Sequence, residues 1–425
     1  MKKLVFVVAA FVSASLFASV AKPVVTASSW SQDKGSRKVT VSYTLDAPAI
    51  VTMDVLTNGV SIGMRNVQGL RGDVHKLVED PGVTHTIEWL PYESWASGAK
   101  RLADVDIRVT AWATNAPPDY FVANLDDFSG AYYADADALP AGGLTNDIYR
   151  TTRIVFKKVH AAFVRWRKGP VANELGRNTW YKNQPAGYVT LTRDYYLAIY
   201  LMTQKQLSLA TDGWGLLSSP KGDMLPANTF AYDNLRGKNK GAAWPTADLM
   251  TGYELDSGSY ILRIRSMFGN RYLFDLPTEA QWEFACRAGT DSGLFIGYDS
   301  TASWSTDISD YARWYGNNTT DASVGRTKDA PSNVGSYKPN PWGFYDMIGN
   351  AREWVLDRYG PDEGPAVIAE DQIDPVGPST GTTRVMKGGC YSDGWDICRS
   401  DARTSTGSSA QWENNGFRLC IPLFR

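Results

Sequence analysis

Four cysteines have the strongest capacity for chemistry in this 425-residue chain, and all four lie in its C-terminal half: Cys286, Cys390, Cys398 and Cys420. In an oxidising compartment an even number of cysteines is typical of disulfides, and several pairings are open. Thiolates are also the preferred ligands of soft metal ions such as Cu(I). The residues alone therefore leave both uses of the sulfur atoms open.

Histidine is scarce, because the chain contains only His75, His85 and His160. No residue after position 160 can supply an imidazole. This excludes a Ser-His-Asp triad or a histidine-ligated zinc site built from the C-terminal half alone.

The N-terminus predicts export from the cytoplasm. Lys2 and Lys3 precede an apolar run at 4–17, and small residues follow at 18–21. This order is typical of a secretory signal peptide at residues 1–21. The run is too short to cross a bilayer as a helix. We therefore expect an exported protein, periplasmic or extracellular, with no membrane span.

The overall composition argues against a nucleic-acid partner. The formal net charge is −2, and no long block of like charge occurs. Aromatic residues make up 12% of the chain, which suits a fold that buries flat rings and lines a groove with them.

Two folded regions must position these side chains. Residues 22–112 show apolar residues with a period of two at 39–45, 51–55 and 105–111, and Asn58-Gly59 favours a tight hairpin turn. This pattern predicts an immunoglobulin-like β-sandwich.

A second domain is predicted further along the chain. Residues 113–150 are rich in Ala, Asp, Gly and Pro and are interpreted as a connector with short strands. Residues 151–425 then form the second domain. The whole chain is predicted to be α+β.

The second domain contains two helical patterns. The first covers 259–268, where apolar residues recur at helical spacing. The second follows Thr278, which can act as its N-cap, with Gln281 completing a capping box. Gly289 is placed to end this helix. Glu279 and Glu283 lie four apart on it and resemble paired acids, but we interpret them as framework residues.

Several motifs in this region resemble the sulfatase-modifying-factor family, which includes the formylglycine-generating enzymes. The resemblance covers about residues 155–425, and its implied fold is a compact mixed α/β unit related to C-type lectins. The motifs that carry it are LPTEAQWEFACR at 276–287, NPWGFYDMIGNAREW at 340–354, RVMKGGCY at 384–391 and NGFRL at 415–419.

The resemblance implies a copper site that is incomplete here. Oxidases of the family hold Cu(I) with two cysteines after the Gly-Gly-Ser motif. In this chain Cys398 stands at the second ligand position, and Asp393 stands at the first. The family's serine is replaced by Cys390, and Arg352 stands where the oxidases carry tryptophan. A carboxylate is a hard ligand that suits Cu(I) poorly.

Two uses of the cysteines follow from this comparison. In one, Cys390 pairs with Cys398 and Cys286 pairs with Cys420, as disulfides that stabilise an exported domain. In the other, Cys390 and Cys398 form a shifted thiolate pair for copper. We expect the disulfides, because an oxidising compartment favours them.

The resemblance also implies a calcium site. Its ligands would be the side chains of Asp346 and Glu353 and the backbone carbonyls of Gly349 and Ala351. Hard oxygen ligands of this kind suit Ca²⁺. The alternative is that Asp346 is an ordinary turn acid and Glu353 an ordinary helix-start acid.

Three functions are then open, and one of them is a surface scaffold whose β-sandwich presents the C-terminal domain. The expected one is an exported, calcium-stabilised module that binds a peptide or glycan without redox turnover. The alternative is a copper-dependent, oxygen-using oxidoreductase of the formylglycine-generating type, acting on protein cysteine.

Overall fold

The structure is a computed structural model. It describes residues 22–63, 66–94, 104–170, 186–211, 220–237, 255–297, 308–320, 328–360, 371–378 and 381–423. The predicted signal peptide at 1–21 lies outside these residues. Within the described part of the chain, no helix is both long and apolar enough to cross a bilayer.

The N-terminal region is built almost entirely of antiparallel strands. Its elements are β1 Val25–Gln32, β2 Val39–Leu45, β3 Ala49–Thr57, β4 Val60–Ser61, β5 Leu70–Gly72, β6 Leu77–Val78, β7 His85–Trp89, the short helix α1 Pro91–Ser94 and β8 Val105–Trp112.

These strands form two sheets with a shared core. One sheet has the order β1-β2-β7-β5, and the other has the order β4-β3-β6 with β8 paired to β3. The four alternate residues of β2 that begin with Val39 are buried, and those between them are half-buried, as the period of two predicts. Asn58 and Gly59 both have positive φ angles, 50° and 75°, in the turn that joins β3 to β4. The immunoglobulin-like assignment itself stays a prediction.

The second region combines several small sheets with four helices. Its strands are β9 Tyr120–Asn124, β10 Gly130–Tyr133, β11 Arg153–Val159, β12 Arg165–Lys168, β13 Gly187–Thr190, β14 Tyr195–Ala198, β15 Arg352–Arg358, β16 Gln372–Ile373, β17 Thr383–Lys387, β18 Thr404–Gly407, β19 Asn415–Gly416 and β20 Cys420–Pro422. Its helices are α2 Gln204–Thr211, α3 Tyr232–Arg236, α4 Tyr260–Met267 and α5 Glu279–Arg287.

Three sheets organise these strands. They have the orders β10-β9-β11-β14-β20, β12-β13-β16 and β18-β17-β15-β19. The mixed α+β class is therefore confirmed. Helices α4 and α5 correspond to the two helical patterns in the sequence, whereas α2 and α3 were not predicted.

The segment at 113–150 differs from the connector that the sequence suggests. It supplies β9 and β10 to the five-stranded sheet, and β9 pairs with β11 along five residues. Phe121 and Val122 are buried in the same core as the rest of the second region. The core of this region thus begins at Tyr120, earlier than the predicted boundary at 151, because the connector's own strands complete the sheet.

Helix α5 is the buried centre of the second region. Thr278 accepts a hydrogen bond from the Gln281 backbone, and the Gln281 side chain accepts one from the Thr278 N–H, so the predicted capping box is present. The helix ends one residue earlier than expected. Ala288 adopts the left-handed conformation with φ 50°, and Gly289 follows with φ 87°.

The two glutamates on α5 are framework residues, as expected. Glu279 pairs with Lys168 at 2.9 Å, and Glu283 pairs with Lys387 at 3.2 Å and with Arg287 at 2.8 Å. All of these side chains are nearly excluded from solvent. Because each charge has an opposite partner, the burial of the helix is electrostatically compensated.

We predict that Thr278→Ala lowers the free energy of unfolding by about 1 kcal/mol, because the first turn of α5 loses its side-chain acceptor. Urea unfolding of the whole protein measures this change. Thr84→Ala is the matched control, because Thr84 is exposed and should leave stability unchanged. Equal effects of the two variants would contradict the role given to the cap.

Candidate functional site

Strand β15 and the turn after β17 bring the predicted site residues together. Arg352 begins β15 and pairs in parallel with Asn415 of β19, while Glu353 lies opposite Lys387 of β17. Since side chains alternate along a strand, Arg352 and Glu353 point to opposite faces of the sheet. Arg352 is half-buried and Glu353 is fully buried. The two faces carry the two predicted sites.

Two consecutive glycines make the close approach of the cysteine segment feasible. Gly388 and Gly389 follow β17 with φ angles of 86° and 68°. A Cβ atom on Gly389 would lie only 2.7 Å from the sulfur of Cys398. The motif therefore needs glycine here for packing as well as for backbone conformation.

Asp393, which the sequence resemblance places at the first copper-ligand position, forms an ion pair with Arg352. Arg352 donates from Nε to Asp393 Oδ2 at 2.8 Å and from Nη2 to Asp393 Oδ1 at 2.5 Å. Asp393 also accepts the Cys390 backbone N–H at 3.0 Å, and its carbonyl accepts the Tyr315 N–H at 3.0 Å. The Asp393 side chain is 8% exposed and that of Arg352 is 22% exposed. This bidentate pair engages both carboxylate oxygens.

The two nearby thiols are buried and protonated. Burial, followed by the Asp393 charge, raises the pKa of Cys390 to about 11. Burial also raises the pKa of Cys398 well above its usual range. The Cys398 thiol lies 3.8 Å from the carbonyl oxygen of Cys390. Metal binding requires thiolates, so these surroundings oppose it.

A Cu(I) site therefore does not fit these residues. The carboxylate at position 393 is already neutralised by Arg352, and the thiol at 398 is held in its neutral form. Among the described residues, no group of three or more His, Cys, Asp or Glu side chains is arranged to hold a metal ion.

The cysteine pairings expected from the sequence are not formed in the structure. All four cysteines are separate, buried thiols. Cys286 lies on α5 with its sulfur 3.6 Å from the Met347 carbonyl, whereas the backbone of Cys420 exchanges hydrogen bonds with Asp275. The described contacts of Cys286 and Cys420 thus differ, and the pairings Cys286–Cys420 and Cys390–Cys398 stay predictions.

The predicted calcium ligands lie around one turn and the start of β15. Asp346 adopts a left-handed conformation with φ 54° and accepts the Gly335 N–H at 2.7 Å and the Asn350 amide at 3.3 Å. It forms no ion pair with any described side chain. Burial raises its pKa to about 6. Gly349 packs closely against the backbone of Arg313. A Cβ atom added to Gly349 would lie only 2.3 Å from the Arg313 carbonyl oxygen.

Glu353 is engaged differently from Asp346. Arg418 donates to it from Nε at 2.6 Å and from Nη2 at 2.7 Å, and both side chains are buried. The sequence did not identify this partner. Arg418 carries one positive charge against the two carboxylates, so the group keeps a net negative charge. Together with the carbonyls of Gly349 and Ala351, this donor chemistry is compatible with a hard cation.

A family model described as the sulfatase-modifying factor enzyme 1-like domain matches residues 157–423. The chain therefore belongs to this family. The match covers the motifs on α5, the turn that contains Asp346, the double-glycine turn and β19.

Curated relatives include two named formylglycine-generating enzymes. The one from Thermomonospora curvata is 33% identical over 153 residues, which is 34% of this chain and 48% of the relative. The one from Bos taurus is 33% identical over 153 residues, covering 34% of this chain and 37% of the relative. The serine/threonine-protein kinase pkn1 of Chlamydia pneumoniae is 34% identical over 144 residues, which cover 34% of this chain and 20% of the relative. The chain thus spans less than half the length of each.

Solved structures with a similar course of the chain include Treponema denticola variable protein 1 and PvdO from Pseudomonas aeruginosa. The first has a TM-score of 0.44 and 20% identity, covering 64% of this chain and 95% of that chain. The second has a TM-score of 0.46 and 20% identity, covering 63% of this chain and 94% of that chain. Likenesses at this level carry no functional argument.

We predict that Asp393→Cys alone lowers the free energy of unfolding by about 2 kcal/mol, because it leaves the Arg352 guanidinium largely buried without its counter-charge. The double variant Asp393→Cys with Arg352→Trp should recover most of that loss. Denaturant unfolding of the parent, both single variants and the double variant gives the coupling energy, which we expect to be about 2 kcal/mol.

The exposed pair Lys338–Asp310 provides the control cycle, because its side chains are 62% and 69% exposed. Its two alanine variants should show no measurable coupling. Additive losses in the Arg352–Asp393 cycle would contradict the conclusion that these two residues form one unit.

Proposed function

We propose that this chain is an exported, calcium-stabilised binding member of the sulfatase-modifying-factor family that does not oxidise cysteine. The observation that carries this proposal is the bidentate pair between Arg352 and Asp393. It puts a neutralised carboxylate where an oxidase of the family has a copper-binding cysteine. The predicted immunoglobulin-like region would then serve as its support.

A peptide or glycan is the proposed ligand of the surface around this pair. Tyr315 and Trp412 are 69% and 59% exposed. The Tyr315 N–H donates to the Asp393 carbonyl at 3.0 Å, and the Arg352 N–H donates to the Asn414 carbonyl at 2.8 Å, two residues from Trp412. Backbone hydrogen bonds thus connect the segments that carry both aromatic residues to the residues of the pair. Large exposed aromatic rings commonly contact peptides or sugars.

The absence of oxidase chemistry has a direct test. We expect the reduced parent protein to take up Cu(I) no better than Cys398→Ser, because the thiol is protonated and position 393 offers no thiolate. Competition against a chromophoric Cu(I) chelator measures the affinity, and mass spectrometry measures aldehyde formation on a sulfatase-type cysteine peptide. Asp393→Cys alone should also give no aldehyde.

The alternative function makes the opposite prediction. If Cys390 and Cys398 form a shifted copper site, the parent will bind Cu(I) tightly, Cys398→Ser will lose that binding, and the peptide will be converted. That combination of results would show that the protein is an oxidase and would contradict the proposal of a binding module without redox turnover.

Calcium binding is proposed at Asp346, Glu353 and the carbonyls of Gly349 and Ala351. The supporting observation is that Asp346 is buried and forms no ion pair with any side chain that the structure describes. When bound, the cation would supply the missing positive charge and hold the turn against β15. Arg418 would continue to orient Glu353.

We predict that chelation of calcium lowers the melting temperature of the parent protein, by an amount corresponding to about 3 kcal/mol if calcium was at 100 times its Kd. Asp346→Asn should abolish the calcium dependence, because the neutral amide no longer attracts the cation. Asparagine also tolerates the left-handed backbone at this position.

Differential scanning calorimetry with and without chelator checks the calcium prediction. Asp310→Asn is the control, since it removes an exposed acid that is not among the proposed ligands and should keep the full calcium response. If the melting temperature of the parent protein is the same with and without chelator, the protein has no calcium site of the proposed kind.

A further inference from the structure

Strand β1 forms one edge of the N-terminal sheet β1-β2-β7-β5. Among the residues that the structure describes, β1 is hydrogen-bonded to β2 and to no other strand. Strand β8 of the other sheet comes near β1, but β8 forms its ladder with β3. One row of backbone N–H and C=O groups of β1 therefore has no partner strand in the described part of the chain.

The composition and exposure of β1 leave this edge open. Its sequence is VTASSWSQ, which contains neither a charged residue nor a proline. Residues 26–32 are exposed on both faces of the strand, and Trp30 is 41% exposed. A strand of another molecule can thus approach β1 in the plane of the sheet.

The other sheet edges in the described structure carry protections that β1 lacks. Strands β4, β5, β6, β10, β12, β16, β18, β19 and β20 are short, with two to four residues each. The eight-residue β8 carries Asp106 and Arg108. Short strands and charged side chains are the usual means by which proteins prevent edge-to-edge pairing. Among the described edges, β1 is thus the one that suits an added strand.

A second copy of this chain fits the edge better than a foreign peptide. Recognition of one particular extended peptide requires side-chain pockets beside the edge. Apart from Trp30 and Gln32, residues 26–32 have small side chains, which offer little to distinguish one peptide from another. A second copy of β1 needs no pocket, because a two-fold axis repeats every favourable contact.

The strand is compatible with antiparallel pairing to itself. A two-fold axis normal to the sheet keeps the same face of both copies on the same side. If the axis passes at Ser28 or at Ser29, the Trp30 ring lies opposite Thr26 or Ser28 of the second copy. A large ring is then placed beside a small side chain. No like charges of the two strands meet, because β1 contains none.

We propose that β1 is a dimerisation edge, at which two copies of this chain join their four-stranded sheets into one continuous antiparallel sheet. A single pair of strands buries little surface, so the dimer forms reversibly and depends on protein concentration. None of the proposed calcium ligands lies on β1, and neither do Arg352 and Asp393. The inference thus goes beyond the proposed binding function and does not rest on it.

Sedimentation velocity of the purified protein tests the proposal. We expect the parent to shift from monomer to dimer with a dissociation constant on the order of 10 µM. Ser29→Lys and Ser29→Glu should each weaken dimerisation about tenfold or more, because like charges then meet near the two-fold axis. An equimolar mixture of the two variants should recover the dimer, and native mass spectrometry should identify it by mass as the heterodimer.

Thr86→Lys and Thr86→Glu are the matched controls. Ser29 lies opposite Ser42 of β2, and Ser42 lies opposite Thr86 of β7, so the three residues form one row on one face of the sheet. Thr86 is also exposed, but β7 lies between β2 and β5. A charge at Thr86 should therefore leave dimerisation unchanged.

Hydrogen exchange of the parent protein provides a test without substitutions. The amides of β1 should exchange more slowly at about 100 µM than at about 1 µM protein, because the second copy protects them in the dimer. The amides of β5, at the opposite edge of the same sheet, should exchange at the same rate at both concentrations. Equal exchange of β1 at both concentrations would contradict the proposal even if the Ser29 variants failed to fold.

The remaining outcomes also decide the question. A parent that stays monomeric at about 100 µM, ten times the expected dissociation constant, would overturn the proposal and leave an extended segment of another protein as the occupant of this edge. Dimerisation that persists in both Ser29 variants would place the interface elsewhere. Equal losses in the Thr86 variants would indicate a general effect of charge, and a mixture that stays monomeric would exclude pairing across the proposed axis.

Discussion

The buried ion pair between Glu353 and Arg418 is the interaction on which the centre of the second region depends. Arg418 also donates to the carbonyls of Ala198, Ile199 and Tyr345 at 2.9 to 3.2 Å. One guanidinium thus joins β14, the turn that contains Asp346 and β15. Removing either partner would leave an isolated charge in a site without solvent, which is far more costly than the pair itself. The position of Arg352 follows from this anchor, because it is the residue next to Glu353 on the same strand.

Arg352 and Asp393 show how two charged residues can share a tightly packed site. Either residue alone would leave a largely buried charge without its partner. Together they neutralise each other through two hydrogen bonds. The double-glycine turn and the buried Cys398 pack closely in the same part of the fold.

Local features were predictable from the sequence, and long-range partners were not. The capping box at Thr278 and the Asn58-Gly59 turn depend on residues within a few positions of each other, so their patterns are sufficient. The partner of Arg352 lies 41 residues away and that of Glu353 lies 65 residues away. Such pairs depend on sheet order, which periodicity does not reveal. The pairing of the four cysteines likewise depends on which sulfur atoms the fold brings together, and the sequence alone leaves it open.

The strands within 113–150 have a consequence for how the second region can be separated from the first. In the sheet β10-β9-β11-β14-β20, the two strands from this segment cover one side of β11. A shortened chain that starts at Thr151 would leave that side of β11 with unpaired backbone groups. Open strand edges recruit strands from other molecules. Such a fragment would therefore tend to self-associate. A fragment that begins before Tyr120 would keep β9 and β10, so this side of β11 would stay paired.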